Sequence, residues 1–306
     1  MAASLERRTF GRTGLEVTAL GYGAMEIRGP RIWSGRDLTD DQADRILNAV
    51  LDAGINFIDT AYDYGRSEEY IGRFISRRRD EYYLATKCGC TVVDAGDHDE
   101  TPHVWTRENI TVRLEESLRR MKTDYVDLLQ LHNPSVEQVE QGDLVQVLKD
   151  LQAAGKTRWI GCSSTLPHLA TYVAWGVFDA FQIPYSALER RHEEWISRAS
   201  ETGAGIIIRG GVARGAPDDA GLGAIDRWAV WEKASLDELR SPGESRTAFL
   251  LRYTLSHPGL DTTIVGTLQP EHLQQNIEQA MAGPLSPDIY AEAKRRLSAA
   301  GEEPER

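Results

Sequence analysis

Cysteine is scarce in this 306-residue chain, which carries only Cys88, Cys90 and Cys162. An odd, sparse set suggests a reducing compartment, and a core of this length needs no disulfide staple. Cys88 and Cys90 stand in CGC, which lacks zinc-finger spacing, and they read as small strand-end residues. Long apolar runs are missing too; none approaches the roughly 20 residues of a membrane span. The opening MAASLERRTFGRTG has no apolar stretch of the kind a secretory leader needs, so a cytoplasmic location is expected. Positive charge is in deficit: 35 Lys and Arg against 47 Asp and Glu leave a formal charge of −12. That balance argues against nucleic acid and anionic membrane as partners. Internal repeats, low-complexity segments and Pro/Gly/Ser-rich linkers are absent, so one domain over 1–306 is expected. A complete Gly-x-Gly-x-x-Gly is also missing. The nearest approach, GYGAME from Gly21, ends in Glu26, which weakens a Rossmann reading.

What the chain does have is alternation. Eight short apolar segments read as strands: ALGYG, INFIDTA, YYLATKC, VDLLQLH, RWIGCSS, AFQIPY, GIIIRG and TTIVGT. Several are continuously apolar, as parallel strands buried on both faces are. Helical patterns lie between them. TRENITVRLEESLRRMK begins with a Thr-x-x-Asn cap and sets Ile110, Leu114, Leu118 and Met121 on one face. LTDDQADRILNAVLDAG carries acidic residues in its first turn and Gly54 past its end. QPEHLQQNIEQAM places Pro270 early in a helix. A hairpin around Gly11–Gly14 precedes them all. The pattern predicts a (β/α)8 barrel with an N-terminal β-hairpin.

Ionisable residues close three of these strands or follow them at once: Asp59 and Tyr64 in INFIDTAYDYG, Lys87 in ATK and His132 in LQLH. Barrel chemistry collects at the C-terminal strand ends. Taken singly, each has an ordinary reading as a turn cap, a loop aromatic, a solvated lysine or a core histidine. Together they form an acid/base centre. A free phenol, with a pKa near 10, donates poorly at neutral pH. A neighbouring ammonium lowers that pKa. Lys87 can supply the charge, Asp59 can hold Lys87 by an ion pair, and Tyr64 and His132 can flank an oxygen on which negative charge develops.

GINFIDTAYDYGRSEEYIG, ATK at Lys87 and LQLHNP at His132 resemble signatures of the aldo-keto reductases, and the similarity extends from the hairpin to TTIVGTLQPEHLQQNI. The resemblance implies a (β/α)8 barrel, hydride transfer between NAD(P)H and an aldehyde or ketone, and an Asp59–Tyr64–Lys87–His132 tetrad with Tyr64 as general acid. It further implies a dinucleotide across the barrel mouth. Gly23, Ala24, Met25 and Asp59 would border it. Ser163, Ser164 and Gln182 would face the nicotinamide carboxamide, although the family usually has Asn where Ser164 stands. Arg209, Gly210, Gly211, Val212 and Arg214 would follow the nicotinamide and pyrophosphate. Gly266, Thr267, His272, Gln275 and Asn276 would meet the adenosine end. The resemblance implies NADPH as the cofactor, with NADH the alternative; relatives place basic residues at the Gly266 and His272 positions for a 2′-phosphate, and the absence of both here weakens the case for NADPH over NADH. Trp33, Tyr64 and His132 would line the pocket of a small carbonyl substrate. Two other functions fit the resemblance: a nucleotide-binding regulatory subunit like the potassium-channel β subunits, and an aldose or alcohol dehydrogenase specialist.

Two irregular stretches, 91–105 and 212–245, fall where barrel loops wall a pocket, the second with Trp228 and Trp231. Asp94, Asp97, Asp99 and Glu100 do not complete an EF-hand loop. His98 and His103 could join a metal site, but none is expected.

Overall fold

The chain is described by a computed structural model covering residues 4–212 and 227–305. It opens with an antiparallel hairpin, β1 (Arg7–Phe10) and β2 (Leu15–Thr18), turning through Gly11–Thr13. Three barrel strands follow: β3 (Leu20–Gly23), β4 (Phe57–Asp59) and β5 (Tyr83–Cys88). A short antiparallel ribbon, β6 (Val93–Asp94) and β7 (Asp99–Glu100), stands outside the barrel. Five more barrel strands complete the set: β8 (Val126–His132), β9 (Thr157–Ser163), β10 (Ala180–Pro184), β11 (Gly205–Arg209) and β12 (Thr262–Val265). The barrel closes in chain order, with β12 pairing β3, and every one of its pairings is parallel. These are the eight strands expected from the apolar runs.

Local chemistry starts the helices where the pattern places them. Thr39 caps the helix Asp40–Asp52 reciprocally with Gln42, each side chain accepting from the other's backbone N–H. Thr106 Oγ1 accepts from Asn109 N at 3.2 Å, and Ile110, Leu114, Leu118 and Met121 are buried along the helix Arg107–Met121. Pro270 opens the helix Pro270–Ala282.

Alternation along the strands builds the barrel interior in layers. Phe57, Ala85, Leu128, Ala180 and Ile207 form an apolar floor together with Phe10, Leu15 and Val17 of the hairpin. The hairpin closes this end; Phe10 packs on Phe57 with ring centroids 5.6 Å apart, and Arg12 N donates to Gly203 O at 2.6 Å. Two residues further along the same five strands stand Asp59, Lys87, Gln130, Gln182 and Arg209. A period of two therefore lifts this polar set one layer above the floor, towards the C-terminal mouth.

Candidate active site

The buried polar layer is tied together at Asp59. Lys87 Nζ donates to Asp59 Oδ2 at 2.5 Å, to Thr60 O at 2.9 Å and towards Tyr64 Oη at 3.4 Å. Asp59 Oδ1 accepts from Gln130 Nε2 at 3.0 Å and from Gln182 Nε2 at 2.8 Å. Asp59 and Lys87 are 1% and 2% exposed, so each charge depends on the other and on these amides for its solvation. Burial works against the ammonium, but Asp59 and Tyr64 hold its pKa above that of a free lysine. For Tyr64 burial wins: the phenol is pushed above its ordinary value, with Lys87 pulling the other way. The expected effect of Lys87 is thus present but outweighed, and the resting phenol keeps its proton.

Tyr64 sits in the turn between β4 and the helix Ser67–Phe74, its N–H donating to Ala61 O at 3.1 Å. Its ring meets His132 edge-on at 6.0 Å between centroids, and Trp33 meets it edge-on from the other side at 5.8 Å. Trp33 is 42% exposed, so this aromatic row forms part of an open rim. His132 Nδ1 lies 3.3 Å from Cys90 Sγ and 3.4 Å from Asp63 Oδ1. Burial opposes the Asp63 charge, yet His132, Cys90 and Lys87 hold that carboxyl below the usual range. The four residues of the expected tetrad are therefore brought together, Tyr64 being the link between the Lys87–Asp59 pair and His132. Gln130 and Asp63 were not expected. Gln130 is two residues before His132, hence on the same inward face, and that spacing could have revealed it.

Residues read for the cofactor fall into three places. Ser163 and Gln182 are in register across β9 and β10, with Ser163 Oγ 3.5 Å from Gln182 Oε1. With the Gln182 N–H spent on Asp59, this leaves one carbonyl and the Ser163 and Ser164 hydroxyls as a donor–acceptor set suited to a carboxamide. Arg209 ends β11, followed by Gly210, Gly211 and Val212; Arg214 lies outside the described residues. Gly211 has a packing reason of its own, since a Cβ there would come 2.6 Å from Thr263 Oγ1. At the third place Gly266, His272 and Gln275 are exposed, Asn276 is half-buried and Thr267 is buried. The Thr267 hydroxyl accepts from Gln269 N at 3.1 Å and so helps set the turn into the helix that carries His272. Across from Gly266 stand Gly23 and Glu26: a Cβ on Gly266 would lie 2.6 Å from Gly23 O and 2.9 Å from Glu26 Cγ. Met25 is half-buried, whereas the Ala24 methyl is fully buried in the core.

The loops depart from expectation. Stretch 91–105 contains the β6–β7 ribbon, held by Arg31, which reaches Asp94 Oδ1 at 2.9 Å and Asp99 Oδ1 at 2.5 Å. These carboxylates are thus engaged by a guanidinium. Trp231 is no pocket wall: it is fully buried and packs on Trp228 and Phe249. A hollow lined by Glu6, Arg8, His257 and Asp261 lies at the hairpin end, remote from the tetrad.

Comparison with known proteins agrees with this architecture. Residues 19–296 match the Aldo/keto reductase family. Aldo-keto reductase YhdN of Bacillus subtilis (strain 168) is 30% identical over 296 residues, covering 88% of this chain and 87% of its own. NADH-specific methylglyoxal reductase of Escherichia coli (strain K12) is 29% identical over 205 residues, 62% of this chain and 61% of its own. The holo form of aldo-keto reductase AKR11C1 from Bacillus halodurans superposes with a TM-score of 0.83 at 27% identity, covering 95% of this chain and 96% of that one. The closed parallel barrel is the fold shared with this solved structure. The chain belongs to the aldo/keto reductase family. No described helix is long and apolar enough to cross a membrane.

Proposed function

We propose that this enzyme interconverts small aldehydes or ketones and their alcohols with NAD(P)H, Tyr64 acting as the general acid in reduction. The observation that carries this reading is the Lys87 ammonium, which bridges Asp59 at 2.5 Å and Tyr64 Oη at 3.4 Å inside the barrel mouth. The nicotinamide, when bound, supplies hydride to the carbonyl carbon. Tyr64 gives its proton to the carbonyl oxygen as negative charge gathers there, and Lys87 stabilises the phenolate left behind. A resting phenol of raised pKa arrives protonated, as an acid must. His132 turns a ring N–H to the same oxygen. Asp59 keeps Lys87 charged, while Gln130 and Gln182 hold the carboxylate. Ser163, Ser164 and the Gln182 carbonyl would take the carboxamide, Arg209 would stack on the nicotinamide, and the backbone from Gly210 would approach the phosphates.

Discrimination between NADPH and NADH is weak in this reading. Gly266 and His272 offer no fixed cation to a 2′-phosphate, and Glu26 stands beside Gly266. The E. coli relative is NADH-specific by name. The exposed Trp33 rim favours tolerance of several aldehydes and ketones. The test is oxidation of NADPH and of NADH with 4-nitrobenzaldehyde, wild type beside Tyr64→Phe, with cofactor binding followed by fluorescence. Turnover lost in Tyr64→Phe with binding retained supports the reading. Undiminished turnover means the acid is another group, and tight binding without turnover in wild type favours a regulatory role.

A further inference from the structure

At the edge of the tetrad, Cys90 and His103, which have no role in the scheme above, converge on His132 from other chain segments. Cys90, His103 and His132 bring one sulfur and two imidazoles together, their ligand atoms all within 4.8 Å of one another. We propose that they form a binding site for a thiophilic divalent cation of the zinc class, at the edge of the barrel mouth.

The fold builds this cluster. Cys90 and His103 face each other across an isolated antiparallel bridge, flanked by Thr91 N to Pro102 O at 2.9 Å and Val104 N to Gly89 O at 2.7 Å. Directly paired cross-strand residues put their side chains on the same face. Gly89, at φ +103°, makes room for the Trp105 ring, where a Cβ would come 1.9 Å from Cζ3. Trp105 in turn stacks on His103 at 5.4 Å and 19°, which orients that imidazole. His132 arrives from β8, the barrel neighbour of β5, with its ring edge-on to His103 at 5.9 Å.

The distances suit a metal. Tetrahedral zinc with S and N ligands sets them about 3.5 Å apart, and Cys90 Sγ stands 3.3 Å from His132 Nδ1. Behind the cluster the Asp63 carboxylate, 2% exposed, lies 3.4 Å from His132 Nδ1 and faces Cys90 as well. A buried carboxylate behind the ligands favours a cation next to it and orients the His132 ring. One thiolate and two imidazoles select zinc, cobalt or copper over magnesium or calcium, which want oxygen. Three protein ligands leave a fourth position for water. On binding, the Cys90 S–H bond breaks, the sulfur's electron pair goes to the metal and the proton goes to solvent; nothing is oxidised or reduced. Spacing along the chain hid the site, since its donors are separated by 12 and 28 residues and meet only in the fold.

Binding itself needs nothing from the reductase reading. If that reading holds, an occupied site ties down the imidazole that turns to the carbonyl oxygen, and the metal inhibits. The experiment is a titration of chelator-treated full-length protein with Co2+ followed by Zn2+. The expected result is one Co2+ per chain with a thiolate-to-cobalt charge-transfer band and the intense visible bands of tetrahedral coordination, all displaced by Zn2+. Cys90→Ser should lose the charge-transfer band. His103→Ala should keep it while weakening binding at least about tenfold. Thermal unfolding of both variants shows that they are folded. Absence of uptake by wild type, uptake without the thiolate band, or an unchanged spectrum in Cys90→Ser overturns the proposal. Carbonyl reduction is assayed separately, so its absence alongside normal Co2+ uptake would sink the reductase reading alone.

Discussion

Replacing Asp59 with Asn leaves Lys87 buried with only the Thr60 carbonyl at 2.9 Å and the Tyr64 hydroxyl at 3.4 Å. A lysine 2% exposed and stripped of its carboxylate folds as the neutral amine. Its proton must then be given up on folding, which at pH 7 costs at most about 1.36 kcal/mol for each of the roughly 3.4 units up to the free lysine pKa, or about 4.6 kcal/mol. A loss of about 3–5 kcal/mol also matches what breaking a buried pair costs. The pH dependence is the sharper test. In wild type the folded pKa of Lys87 is raised, so its contribution is fully present below about 10.5 and is lost as pH rises through the folded value. In Asp59→Asn the unfolded chain binds the extra proton, so stability rises with pH by about 1.36 kcal/mol per unit up to the free lysine pKa. The deficit against wild type should therefore shrink by about 2.7 kcal/mol between pH 7 and 9. Urea midpoints at pH 7, 8 and 9, with m held in common, measure it. A deficit that stays flat across that range would refute the reasoning, because Lys87 would then be folding charged.

Other consequences follow from single groups. Gln130→Leu removes one of two amides on Asp59 Oδ1 and should cost about 1.5 kcal/mol, the low end for a charged acceptor, because Gln130 Oε1 has no partner to lose; urea unfolding reports it. Gly89→Ala sets a methyl against the Trp105 ring at φ +103° and should cost more than about 1 kcal/mol; an unchanged melting temperature would speak against the packing of that loop. Burial pushes the imidazoles of His192 and His257 down to about 4. Folding neutral, they contribute stability above about pH 6.5 that is lost as pH falls towards 4. His257→Gln should flatten that acid slope by about one proton, read from urea midpoints between pH 7 and 4.

The barrel was legible because parallel strands are apolar on both faces, and eight such runs are hard to arrange otherwise. The tetrad was legible because strand ends converge. Gln130 escaped notice inside the apolar run VDLLQLH, though its spacing from His132 assigns its face. The direction of the Tyr64 shift could not be read, since burial is a sum over many segments while the Lys87 pull is one contact. Arg31 pins Asp94 and Asp99 from more than 60 residues away, and local sequence holds no sign of that pairing. Trp231 reads as a loop aromatic in the sequence, but it shares a core with Phe249 and Leu297, which come from helices distant in the chain.

The most direct test of the central claim follows the transferred hydrogen. The enzyme is given a nicotinamide cofactor carrying two deuterons at C4, together with 4-nitrobenzaldehyde, and the alcohol is analysed by mass spectrometry and NMR. The account predicts one deuteron on the carbinol carbon from wild type and no labelled alcohol from Tyr64→Phe. Unlabelled alcohol from wild type, or equal labelling by Tyr64→Phe, would contradict it.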